Sequence, residues 1–150
     1  MNIYYYNLPT VSLKILAENN KLVGIQFKRE YWQNRQVNKT DNIFSQQLEE
    51  YFKGRRTEFD LPISFKTGTA WQKKVWRALT KIPYGQTISY GDLAAQLGDR
   101  KKARAVAAAC SANPIPIVIP CHRVIAADGT LGGYAGGVSI KEWLLDQENI

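Results

Sequence analysis

Residues 113–124, NPIPIVIPCHRV, end on the side chains of this chain best suited to covalent chemistry. Cys121 is a thiol, and a thiol reacts as its thiolate; with a free pKa of about 8.5 it needs neighbours that favour ionisation or a base that takes its proton. His122 is the only histidine among 150 residues, and Arg123 follows it. Two groups that can be cationic beside a thiol form the kind of setting that depresses a thiol pKa. Against this stands the ordinary role of a free cysteine as inert core. Adjacent side chains in an extended segment point to opposite faces, so Cys121 and His122 cooperate only if the chain turns or a water joins them.

The elements around this run must hold it still. Pro114, Pro116 and Pro120 fix φ and remove donors, and Ile115, Ile117, Val118 and Ile119 between them call for burial. Upstream, the pattern turns helical at Thr69, with Trp71, Val75, Trp76 and Leu79 on one face until Pro83 and Gly85 stop it. Ser89 to Asp92 has capping-box spacing and opens a short helix to Leu97. After Gly98 and Asp99 comes a basic, alanine-rich helix over 100–111, RKKARAVAAACS, which completes the outline of a helix-turn-helix. Its alanines leave little bulk around Arg104, so the helix can approach another surface closely. Downstream, residues 127–137 are rich in glycine and read as backbone walling a pocket, with a flexible loop as the plain alternative. Ser139 to Glu142 then has the spacing of a capping box for the last helix, with Val138 and Trp143 as its staple.

The first 65 residues read as a small α/β unit. Two β-branched and aromatic runs flank Asn19 and Asn20, which is hairpin chemistry. Asp41 or Asn42 can cap a helix carrying Phe44, Leu48, Tyr51 and Phe52, with Gly54 as its stop. The boundary falls at 66–69, giving domains 1–67 and 68–150. A net charge of +7 and a pI near 9.5 favour a polyanionic partner, and the densest basic cluster, Arg100, Lys101, Lys102 and Arg104, sits at the second helix of the helix-turn-helix. No export signal or membrane-length apolar run is present, so a cytoplasmic chain with Cys110 and Cys121 reduced is expected. Two cysteines and one histidine lack a fourth zinc ligand of those types, so no metal is expected.

These residues resemble a known family. NPIPIVIPCHRV, with IPYGQTISYGDLA before it and GGYAGGVSIKEWLL after it, is similar to the O6-alkylguanine-DNA alkyltransferases. The likeness is specific from about Gly68 onward and holds only in outline before it. It implies a ribonuclease-H-like α/β amino-terminal domain followed by a mainly α-helical domain whose helix-turn-helix enters the minor groove of double-stranded DNA. A flipped-out O6-alkylguanine, with O4 of thymine open as a second target, would pass its alkyl group once and irreversibly to Cys121. The resemblance implies a monomer that needs no cofactor and no membrane.

Carried over by residue, the resemblance makes Cys121 the nucleophile, with His122 acting on it through a water and Glu142 orienting His122. Asn113 would brace the turn and Tyr90 would donate toward the leaving base. Arg104 would fill the gap in the base stack, and Tyr90, Lys101, Ala105, Ala108 and Ser111 would line the DNA contact. Pro116, Val124, Tyr134, Ala135 and Gly136 would line the pocket. Ala135 departs from a common Ser, Ala107 and Ala108 from common Gly, and the zinc site of some members cannot be built here. The competing readings are a helix-turn-helix protein that binds alkylated DNA without chemistry, and a cysteine hydrolase. Relatives of the first kind replace the cysteine, which is present here.

Overall fold

The computed structural model describes residues 1–29 and 38–149, and the chain divides into two compact units, Met1–Lys66 and Thr67–Ile150. The first unit carries a three-stranded antiparallel sheet, β1 (Asn2–Asn7), β2 (Ser12–Glu18) and β3 (Lys21–Lys28), in that spatial order. Asn19 and Asn20 make the β2–β3 turn at φ 53° and 62°. Two consecutive positive φ values match the right-handed twist of a hairpin, and asparagine tolerates them. Leu13, Ile15 and Ala17 alternate inward along β2 and are fully buried. Helix α1 (Ile43–Phe52) is capped by Asn42, whose side chain accepts from Ser45 N at 2.8 Å, so of the two expected caps it is the one used. Phe44, Leu48 and Tyr51 are its buried face, and Phe52 stacks on Tyr6 of β1 at 5.7 Å. Among the described residues, the apolar run after α1 joins the sheet through an isolated parallel bridge, Ile63 against Leu22.

The second unit opens with α2 (Ala70–Leu79), capped by a reciprocal pair in which Thr69 Oγ1 accepts from Gln72 N and Gln72 Oε1 accepts from Thr69 N. Gly68 precedes it at φ 118°, where a Cβ would stand 2.6 Å from the Trp76 ring. The indoles of Trp71 and Trp76 donate to the carbonyls of Ala105 and Ala109, at 3.2 and 2.8 Å, and seat α2 against the small-residue helix α4 (Ala103–Ser111). Between them lie β4 (Ile88–Ser89) and α3 (Tyr90–Gln96), with Ser89 accepting from Asp92 N. Residues 100–102 form a 3-10 turn, so the helix expected over 100–111 is α-helical only from Ala103. Asp99 Oδ1 takes the N–H of Lys101 there and tightens the start.

The parallel strand pair matters most for the site. β4 pairs with β5 (Val124–Ile125), Ile88 beside Val124, so Tyr90, the first residue of α3 directly after β4, is brought beside the chain that leaves Cys121. The last helix, α5 (Val138–Gln147), corrects the sequence reading of its start. Gly137, at φ 96°, is the N-cap, and Lys141 N donates to its carbonyl, so Ser139 and Glu142 lie within the helix. No side chain caps it, and Val138, its first residue, is 50% exposed.

Candidate active site

Residues 112–120 turn rather than extend. Asn113 ties the two ends of the run together: its Oδ1 accepts from Ile115 N at 3.0 Å and its Nδ2 donates to Ile119 O at 2.8 Å. Val118 N bonds to Pro116 O across Ile117, which is held at φ 75°, and Cys121 N bonds to Ile119 O across Pro120 at φ −81°, ψ 64°. The second is an inverse γ-turn, and the first places a β-branched residue in a sparsely populated region that costs on the order of 1–3 kcal/mol. Burial of Ile115, Ile117 and Ile119, each at 0–1% exposure, is worth about 1.5–3 kcal/mol apiece and outweighs that strain. The apolar residues of this stretch thus hold a conformation that a solvated loop would abandon.

Cys121 begins a 3-10 turn, Cys121–Arg123, whose three side chains are all buried. Successive residues of such a turn project about 120° apart, so Cys121 and His122 leave the backbone in different directions even though the chain turns. His122 is wholly buried, and its Nε2 stands 2.7 Å from Glu148 Oε2. A carboxylate there makes Nε2 the protonated nitrogen and leaves Nδ1 as the acceptor. Among the described residues no protein group is hydrogen-bonded to Nδ1.

This corrects the role expected of Glu142, which is exposed on α5, whereas Glu148, its C-cap, meets His122. Helix geometry explains the difference. Lys141, Leu144, Leu145 and Glu148 follow at i, i+3, i+4 and i+7 on the buried face, and Glu142 lies off it. The spacing was visible in the sequence as a lysine and a glutamate on an otherwise apolar stripe.

The electrostatics also differ from the expected depressed thiol. Burial pushes the Cys121 thiol up, and the hydrogen bond from Asn113 and the Lys141 cation oppose it without overcoming it. Arg123 does not face the thiol; its guanidinium is committed to Glu148. Burial likewise lowers the His122 pKa, against the pull of Glu148. The resting pair is therefore a neutral thiol and a neutral imidazole.

Lys141 is a site residue that the sequence reading missed. Its fully buried ammonium donates to the carbonyls of Val124, at 2.7 Å, and Leu131, and stands 3.5 Å from the Tyr90 hydroxyl. It therefore joins α5, the strand after Cys121, the glycine-rich loop and α3. Tyr90 fits against that loop because Gly132, at φ 72°, has no Cβ; one would come within 2.7 Å of the tyrosine oxygen. Burial raises the Tyr90 pKa to about 12, which keeps it a hydroxyl donor. Of the expected pocket residues, Pro116 and Val124 are buried, Tyr134 and Gly136 partly so, and Ala135 is exposed. Cys110 is buried in α4, its thiol pushed up to about 12 by burial.

On α4, Arg104, Ala105, Ala108 and Ser111 are exposed, as is Lys101 in the turn before it, while Val106, Ala109 and Cys110 face inward. The exposed set at i, i+1, i+4 and i+7 makes a low, basic-edged helical face. Among the described residues no cluster of three or more His, Cys, Asp or Glu could hold a metal, and no helix is long and apolar enough to cross a membrane.

Two family models match the chain: the ribonuclease-like domain of 6-O-methylguanine DNA methyltransferase over residues 2–65, and the DNA-binding domain of the same family over residues 70–150. Among curated relatives, the constitutive methylated-DNA–protein-cysteine methyltransferase of Bacillus subtilis is 43% identical over 95% of this chain and 92% of its own. That of Salmonella typhimurium is 48% identical over 85% of this chain and 74% of its own. Among solved structures, Mycobacterium tuberculosis OGT in complex with DNA superimposes with a TM-score of 0.86 at 37% identity, covering 99% of this chain and 93% of that one. With matched models over both units and relatives of this identity and coverage, the chain belongs to the methylated-DNA–protein-cysteine methyltransferase family.

Proposed function

We propose that this protein repairs DNA by moving an alkyl group from O6 of guanine to Cys121, once per molecule. The observation that carries the reading is a buried thiol followed directly by an imidazole that is hydrogen-bonded to a buried carboxylate. Because thiol and imidazole both rest neutral, the thiolate is made at the moment of reaction. The Cys121 proton passes through a bridging water to Nδ1 of His122, and Glu148 stabilises the imidazolium that results. The sulfur then displaces O6 from the alkyl carbon: an S–C bond forms, the C–O6 bond breaks, and its electron pair stays with the base. Tyr90 donates a hydrogen bond to the leaving guanine until the base regains a proton. A thioether has no route back to a thiol here, so each molecule acts once.

The target atom is hidden in a duplex, which calls for extrusion of the base. The exposed face of α4 suits close approach to the minor groove, with Lys101 and Ser111 on the backbone and Arg104 in the vacated stack. Pro116, Val124, Tyr134, Ala135 and Gly136 are assigned to the pocket, and the working form is a cytoplasmic monomer. Intact-mass measurement with a molar excess of duplex containing O6-methylguanine tests this reading. A gain that stops at one methyl per protein is expected; no gain would mean a binder, and continued turnover a hydrolase.

A further inference from the structure

Arg123 takes no part in the steps above, yet all three of its guanidinium nitrogens are engaged. Its Nε donates to Glu148 Oε1 at 2.8 Å, one terminal nitrogen to Glu148 Oε2 at 3.0 Å, and the other to Ile82 O at 2.7 Å. The guanidinium lies over the Tyr84 ring at 5.7 Å, and Gly85 N adds a longer contact to Glu148 Oε1 at 3.4 Å. Arg123 is 6% exposed and Glu148 2%. Glu148 Oε2 thus receives both the imidazole and the guanidinium, and Oε1 is held on the far side. A carboxylate bound this way cannot rotate without breaking two charge-assisted bonds.

We infer that Arg123 is a positioning residue for alkyl transfer: by gripping both oxygens of Glu148 it fixes the acceptor for His122 Nε2–H, and so fixes the tautomer that turns Nδ1 toward the thiol proton. This rests on the alkyl-transfer reading of the site. The geometry asks for arginine. A lysine ammonium is a point donor and cannot span both carboxylate oxygens while also reaching Ile82 O. The guanidinium further neutralises the carboxylate, so the proton taken from Cys121 stops at the imidazole. The charged and titratable groups around His122 are Glu148 at the end of α5, Lys141 within α5, and Cys121 and Arg123 in its own turn.

The test uses the full chain, in which His122 supplies the only imidazole signals. Imidazole 15N shifts of the wild type at neutral pH should show one tautomer, protonated at Nε2. In Arg123→Lys both tautomers should appear, and the single-turnover rate on O6-methylguanine duplex should fall about tenfold or more, with the roughly 10²–10⁴ that a general base supplies as the ceiling. Affinity for the same DNA should hold. In the background of Glu148→Gln, Arg123→Lys should cost no further rate. A folded Arg123→Lys that keeps the wild-type tautomer and rate, or one that loses only thermal stability, would overturn the inference. So would a wild type that already populates both tautomers, a result that does not depend on how the variant folds. If the wild type transfers no alkyl group, the functional reading fails instead, and the two failures are distinct.

Discussion

His122 Nε2 and Glu148 Oε2 stand 2.7 Å apart, 26 residues apart in sequence, with both side chains at 0% exposure. Without that carboxylate the buried imidazole has no fixed tautomer and the imidazolium it must form has no counter-charge. Glu148→Gln should therefore slow single-turnover transfer by about 10²-fold, at the low end of what general-base catalysis contributes. Glu142→Gln, at an exposed position on α5, should react at the wild-type rate. Rapid-quench kinetics on the two variants side by side check this, and a slow Glu142→Gln with a normal Glu148→Gln would reverse the assignment.

Stability should fall on both sides of neutrality. His122 has a folded pKa below its unfolded value of about 6.5, so the unfolded chain binds the proton first. The stability is complete above that value and is lost as pH drops toward the folded one. The thiols of Cys121 and Cys110 and the hydroxyl of Tyr90 are raised, so their stabilisation is present below their unfolded values and is lost as pH climbs. Melting temperatures across pH should trace a dome. Replacing His122 with Gln should flatten its acid side, while an unchanged acid limb would place the loss elsewhere.

Local signals carried most of the fold. Asn19 and Asn20 announce a hairpin, Asn42 and Ser89 announce caps, and each acts on backbone within three residues of itself. Ser139 and Glu142 satisfy a capping pattern and predict a later start for α5, whereas Gly137 begins the helix by a positive φ that no pattern of side chains records. The carboxylate that meets His122 is Glu148 and not the expected Glu142, for a related reason. The resemblance implies Glu142 in that role, but which glutamate reaches the imidazole depends on the face of α5 that packs inward, a tertiary fact. Adjacency in sequence places Arg123 beside Cys121 and predicts a depressed thiol; the apolar run predicts burial too, but that burial outweighs the charged neighbours at the sulfur shows only in the folded chain.

Lys141 should prove important to stability and to the site together. Lys141→Met removes the donor to a buried Val124 carbonyl, a loss of about 1–3 kcal/mol, and releases the loop at Leu131 from α5. It also removes a cation that favours the Cys121 thiolate. The variant should melt earlier, and its Cys121 should alkylate more slowly with a small thiol reagent at a given pH. Earlier melting with unchanged reagent kinetics would make Lys141 a structural latch alone.

Arg104 should act on base extrusion rather than on chemistry. It is exposed on α4, outside the buried network of Cys121, His122 and Glu148. Unstacking a base costs a few kcal/mol, and a side chain in the gap offsets part of it. Arg104→Ala should slow repair of duplex DNA strongly and leave transfer from free O6-methylguanine base nearly unchanged. Equal slowing on both substrates would show that the residue serves the fold or the reaction.

The central claim is that the alkyl group ends on Cys121, and peptide mapping after a single turnover tests it most directly. The protein has two thiols, Cys121 in the His122–Glu148 network and Cys110 in α4 with its thiol held at about 12. After reaction with duplex containing O6-methylguanine, the methyl group should be found on the Cys121 peptide alone, and Cys121→Ser should bind the same DNA and gain nothing. Label on Cys110, or a methylated Cys121→Ser, would contradict the account.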